Sequence, residues 1–196
     1  PILAPPGQYY AVVRLGADSA ELPFRIQADP NYQCSQADYE AQFAFLKQVQ
    51  DKFNEVQKAI EQIRSLRQQI RDFTGRQGAA CPKEVKTLAD SIVKKLTGVE
   101  EALYQTKAKS GQDVLNYPIR LNDKLAGVYD AAASGNFAPS KQVKEVFADL
   151  SAQSDTQLNI LKQVLQNEVP AFNALVREKA LPVIQVKGEG KKEHRP

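Results

Sequence analysis

From Gln36 to Thr74 apolar residues recur at Tyr39, Phe43, Leu46, Val49, Phe53, Val56, Ile60, Ile63, Leu66, Ile70 and Phe73. Every step is three or four residues, close to the 3.5-residue repeat of helices that supercoil left-handedly. The pattern predicts one unbroken helix of roughly 55–60 Å at 1.5 Å per residue. Ser35 is placed to cap it, with Asp38 three residues on. A second helix is predicted from Val85, Leu88, Ile92, Leu96, Val99 and Leu103, with Pro82 opening it and Gly98 inside it as the expected point of any bend. Periodicity lapses over Gln105–Pro118. A short third helix runs from near Pro118 to Ala133, with Leu121, Leu125, Val128 and Tyr129 inward. Ser140 then caps a long final helix carrying Val143, Phe147, Leu150, Leu158, Leu161, Leu165, Val169, Phe172 and Val176. Ser154 interrupts that stripe. Pro170 cannot donate to the Gln166 carbonyl, so an irregularity is expected there.

The first thirty residues follow a different period. Gly7–Leu15 is rich in β-formers, Gly16-Ala17-Asp18-Ser19 is a turn signal, and Leu22, Phe24 and Ile26 alternate onto one face. A lone two-stranded hairpin is marginal in water. This one is expected to pack on the helices or to be the last two strands of an upstream β-sandwich. The fold class is thus mainly α: an antiparallel bundle of three long helices plus a short one, preceded by a β-hairpin. The division is 1–30 hairpin, 31–186 bundle and 187–196 disordered basic tail.

Composition narrows the function classes. The chain has 196 residues, 42% of them apolar, enough for one domain with a core. The start at Pro1-Ile2-Leu3 reads as a processed chain or an excised fragment. The formal charge is +3, of which the tail from Lys187 supplies +2. Lys and Arg otherwise alternate with Glu, Asp and Gln, so no nucleic-acid face is indicated. No run approaches the 18 apolar residues of a membrane span. Cys34 and Cys81 flank the long helix, too far apart for a disulfide, and no Cys/His spacing indicates a metal site. No cofactor is called for.

Catalytic signatures are sparse. His194, the sole histidine, lies in the tail, so Ser-His-Asp and Cys-His arrangements are not available within the chain. There is no phosphate-cradling glycine loop. Glu100, Glu101 and Asp149 fall in helical patterns where solvent exposure is the default. The candidate binding residues are Lys107, Lys109, Asp113, Asn116, Arg120 and Asp123, around the aperiodic connection. They form either a polar contact site or a self-satisfied loop whose side chains occupy backbone groups, and the second is the plainer reading.

The run Leu103-Tyr104-Gln105-Thr106-Lys107-Ala108-Lys109-Ser110-Gly111-Gln112-Asp113-Val114-Leu115-Asn116-Tyr117-Pro118-Ile119-Arg120-Leu121-Asn122-Asp123-Lys124-Leu125 resembles the C-terminal region of large bacterial sortilin-like, BNR-repeat β-propeller proteins, which carry glycosyl-hydrolase or sialidase-like labels. Pro6-Gly7-Gln8-Tyr9-Tyr10, Val169-Pro170-Ala171-Phe172-Asn173 and Leu181-Pro182-Val183-Ile184 are similar to it as well, so the resemblance spans most of residues 5–186. It implies a non-catalytic helical scaffold at the end of a larger exported protein, whose partners are other domains of the same parent or another protein. It carries no catalytic residue onto this chain. The rival expectations are a free-standing coiled-coil-like dimerising adaptor and an accessory domain of a carbohydrate-processing enzyme.

Overall fold

The computed structural model describes residues 2–183. The basic tail expected over 187–196 lies outside them. The chain is mainly helical, with a two-stranded antiparallel hairpin ahead of the helices. Strands β1 (Gly7–Leu15) and β2 (Asp18–Ile26) pair in the register Leu15↔Asp18 to Gly7↔Ile26. The turn between them has two residues. Gly16 takes the left-handed position at φ 62° and Ala17 does not, which matches the type II′ turn that suits the twist of paired strands.

Helix α1 (Gln36–Gln77) is continuous over 42 residues. Ser35 caps it through a reciprocal box: the Asp38 amide donates to Ser35 Oγ at 3.2 Å, and the Ser35 amide donates to Asp38 Oδ2 at 2.9 Å. Those hydrogen bonds hold the Asp38 carboxyl below its ordinary range. The helix ends two or three residues later than the sequence suggests, where Gly78 turns to φ 54°. Of the predicted stripe, only Phe43, Phe53 and Leu66 are half-buried and the rest are buried. Phe45 is buried too, edge-on to Phe147 at 5.4 Å between ring centroids. It belongs to a second row that the single stripe leaves out.

Helices α2 (Lys83–Leu103) and α3 (Leu121–Ala133) together cover α1 in the opposite sense. Arg64 meets Glu100 and Arg67 meets Thr97 on α2, while Gln42, near the start of α1, donates to the Ala132 carbonyl at the end of α3 at 2.8 Å. Pro82 sits one position earlier than expected, at the N-cap of α2, and Gly98 is passed without a break. The third rod runs parallel to α1. It consists of α4 (Lys141–Gln163), a π-helical turn over Val164–Glu168, and α5 (Val169–Glu178). Phe45–Phe147, Lys52–Asp155 at 2.7 Å and Phe73–Phe172 succeed one another along both rods. The bundle is therefore up-down-up, with the middle rod split in two.

The π turn lies where Pro170 predicts an irregularity. Pro170 offers no N–H, and the amide of Val169 reaches back five residues to the Val164 carbonyl. Ser154, the gap in the stripe, is fully buried and donates to the Leu150 carbonyl at 2.8 Å, which satisfies its hydroxyl inside the core. After α5 the chain turns through Ala180 at φ 49°. The Leu181 amide donates to Val176 and the Ala180 amide to Arg177, a Schellman closure with alanine in the place that favours glycine.

Two glycine exchanges of opposite sense follow. Nothing lies within 4 Å of where a Cβ on Gly98 would sit, so Gly98→Ala is expected to stabilise the bundle by about 0.5–1 kcal/mol. Ala180→Gly is expected to stabilise it by about 1 kcal/mol, through relief of the left-handed backbone. Urea denaturation followed by circular dichroism measures both; a loss of stability in either would contradict the local geometry.

Candidate functional site

The split in the middle rod places the aperiodic connection on the flank of the bundle, between the end of α2 and the start of α3. The loop is held from within. The Asp113 carboxylate accepts from the Lys109 amide at 2.6 Å, the Ser110 amide at 3.0 Å and Ser110 Oγ at 3.0 Å. These three donors hold its carboxyl below the usual range. Gln105 is buried, donates to the Pro118 carbonyl at 2.8 Å and accepts from the Lys107 amide at 3.2 Å, so it staples the two ends of the loop.

Of the six residues singled out from sequence, only Asp113 has its side chain engaged in that network, and it serves the backbone. Lys107, Lys109 and Asn116 are exposed on the same loop. Arg120 is the N-cap residue of α3 but makes no side-chain cap, and Asp123 is exposed in the first turn of α3. The structure gathers four of the six on one loop and sets the other two on the helix start behind it. What it adds is apolar: Leu115 is 86% exposed, and Val114, Tyr117 and Ile119 are exposed beside it.

Glu100 is not solvated as its sequence position suggests. It is 2% exposed, with Arg64 Nε at 2.6 Å from one oxygen and Arg67 Nη1 at 2.6 Å from the other. Arg64 also lies over the Tyr104 ring at 4.8 Å from its centroid, and Arg67 donates to Thr97 Oγ1 at 3.3 Å. The hydrogen bond to Glu100 raises the Arg64 pKa further. The sequence did carry a signal. Glu100 is four residues after Leu96 and three before Leu103, inside the apolar stripe, and Arg64 and Arg67 are spaced to reach it from one face of α1. The group locks α1 to α2 just below the connection.

The hairpin is the most exposed apolar feature. Cross-strand pairing puts Tyr9 with Phe24, Ala11 with Leu22 and Val13 with Ala20 on one face, which Leu15 completes. Tyr9 stacks on Phe24 at 5.8 Å, yet Val13, Leu15 and Leu22 are each 60% exposed or more. Among the described residues, the hairpin touches the bundle only at its root. Gln36 of α1 donates to the Pro6 carbonyl at 2.9 Å, and a cleft of about 740 Å³ opens there between Leu3, Pro6, Ile26, Tyr39, Phe43 and Tyr129. The Tyr39 hydroxyl is buried without a hydrogen-bond partner among the described residues, and burial pushes its phenol up. Burial likewise raises the Cys34 thiol, the reverse of the activation a nucleophilic cysteine needs.

No family model matches the chain, no curated protein matches it in sequence, and no solved structure matches its fold. Among the described residues no helix is long and apolar enough to cross a membrane, and no three acidic, Cys or His side chains are placed to hold a metal ion.

Two measurements test this geometry. Removing both Arg64 and Arg67 by alanine substitution leaves Glu100 buried and unpaired, at an expected cost of about 3 kcal/mol. Glu100→Gln is expected to cost less, because Arg64 is half-exposed and turns to water. Equal losses in urea unfolding would refute the asymmetry. For Asp113 the folded pKa is depressed, so its hold on the loop is complete above the ordinary carboxylate pKa and is lost as pH falls through the lower folded value. The Lys109 and Ser110 amide resonances are expected to move together at that acid transition and to stay still in Asp113→Asn.

Proposed function

We propose that the chain is a non-catalytic scaffold, a rigid three-rod bundle that carries the β-hairpin as its contact element. The observation behind this reading is the contrast between the two parts. The bundle buries its helical stripes in one shared core, whereas the hairpin holds Val13, Leu15 and Leu22 in solvent on one face and, among the described residues, leaves both strand edges open. Exposed apolar sheet faces of this kind are covered in working assemblies. The resemblance of the connection to the C-terminal region of sortilin-like propeller proteins supplies the setting: one end of a larger exported protein, with a β-rich neighbouring domain resting on the hairpin.

The rival reading as an adaptor that dimerises through the long helix loses its surface, because the α1 stripe packs against α2, α3 and α4 of its own chain. Reading the connection as a sugar-contacting site is weakened by Asp113, whose acceptors are taken up by the loop itself.

The test uses the full-length gene product. Limited proteolysis is expected to spare the hairpin in the natural protein, and to cut within residues 7–26 once Val13 and Leu22 are both replaced by lysine, with the bundle intact in both. A hairpin cut equally fast in the two proteins would overturn the reading.

A further inference from the structure

The hairpin has two free edges, and they are not alike. In an antiparallel pair, residues facing each other alternate between exchanging two hydrogen bonds and exchanging none. The two-residue turn makes Leu15↔Asp18 a bonded pair. Stepping from there, Gln8, Tyr10, Val12 and Arg14 of β1, and Ser19, Glu21, Pro23 and Arg25 of β2, direct their backbone groups outward. The outer edge of β2 is guarded: Pro23 has no N–H to offer, and Glu21 and Arg25 flank it with charge. The outer edge of β1 has no proline, lysine or carboxylate, and Arg14 near its tip is its single charge. Neither strand comes within 8 Å of a helix, Cα to Cα, so the bundle leaves this edge clear.

The β1 sequence is also matched to itself. Around Ala11 it reads Tyr9-Tyr10-Ala11-Val12-Val13. Set antiparallel to an identical strand with Ala11 on the two-fold axis, each tyrosine meets a valine: Tyr10 faces Val12 of the second copy, and Tyr9 faces Val13 of the second copy. Aromatic and β-branched residues are among the favourable cross-strand pairs. Arg14 falls opposite Gln8 of the second copy and never opposite Arg14, so no like charges meet. All four outward-directed residues of each strand are used, Tyr10 with Val12 and Gln8 with Arg14. The small Ala11 sits where two strands approach most closely.

We infer that β1 is a homodimerisation edge, and that two copies of this chain join through antiparallel β1–β1 pairing centred on Ala11 into a four-stranded sheet with a β2 strand at each rim. This rests on the reading of the hairpin as the contact element and names a partner for its edge. The apolar face of Tyr9, Leu22 and Val13 then becomes one surface shared by both copies, still available to a covering domain. The closure is isologous, so assembly stops at two.

The experiment is mass by light scattering across a wide concentration range, with two backbone probes and one register probe. Val12→Pro removes an outward N–H of β1 without touching the bonds within the hairpin; Glu21→Pro does the same to β2. The natural chain and Glu21→Pro are expected to double in mass with concentration, and Val12→Pro to stay a monomer with unchanged helical circular dichroism. With Cys34 and Cys81 replaced by serine, Ala11→Cys is expected to cross-link two copies on mild oxidation. An unbonded cross-strand pair sets Cα atoms about 4.5 Å apart, within the disulfide range of about 4.4–6.8 Å. Val13→Cys, facing Tyr9, is expected not to cross-link. A natural chain that stays monomeric at every concentration, a dimer indifferent to Val12→Pro, or a dimer in which Ala11→Cys does not cross-link would each overturn the inference. If the chain is monomeric while the hairpin is still shielded in the full-length product, the edge belongs to another domain and the scaffold reading survives. If neither holds, both fail.

Discussion

The bundle is governed by one mismatch of length. Helix α1 carries an apolar stripe along nearly all of its 42 residues, and α2, which covers its later half, has 21. A stripe left open to water forfeits about 25 cal/mol for each Å² not buried. The chain meets the demand by covering α1 in instalments. It lays down α2, swings out through the connection, and resumes as α3 along the earlier half of the same face. The connection is therefore a by-product of complete coverage, and its place on the flank follows from where α2 ends. Glu100 with Arg64 and Arg67 marks the seam. There the buried Glu100 carboxylate of α2 pairs with both arginines of α1.

The periodic features were legible in the sequence because they follow from backbone geometry. The α1 stripe, the Ser35 cap and the irregularity before Pro170 each rest on a local rule, and each was readable residue by residue. The features that escaped depend on which faces meet in space. Phe45 is buried because α4 returns alongside α1, and nothing near Phe45 announces that return. Glu100 resembles a surface charge because carboxylates on helices usually are exposed, although its place between Leu96 and Leu103 puts it in the stripe. The polar residues of the connection dominate its sequence, yet its exposed side chains include Leu115 and Tyr117. The alternation of the hairpin marks its two strands, but the difference between its edges depends on the pairing register.

Hairpin and bundle also differ in how they are held. The bundle is tied together by a core running from Phe45 to Val176 and by bonds between distant segments, such as Gln77 to the Pro182 carbonyl at 2.8 Å. The hairpin relies on its own ladder, the Tyr9–Phe24 stack and a short root. The packing of the bundle core therefore does not depend on the hairpin face.

The root adds a mechanical consequence. Residues 27–35 join the hairpin directly to α1, and α1 runs unbroken to the far end of the molecule. At about 1.5 Å per residue it spans roughly 63 Å, so a tilt of about 10° at the root would sweep its far end through about 11 Å. Because α1 is packed along its length by the other two rods, the whole bundle would swing with it. A small change of angle at the root is thus delivered, magnified, to the opposite end of α1.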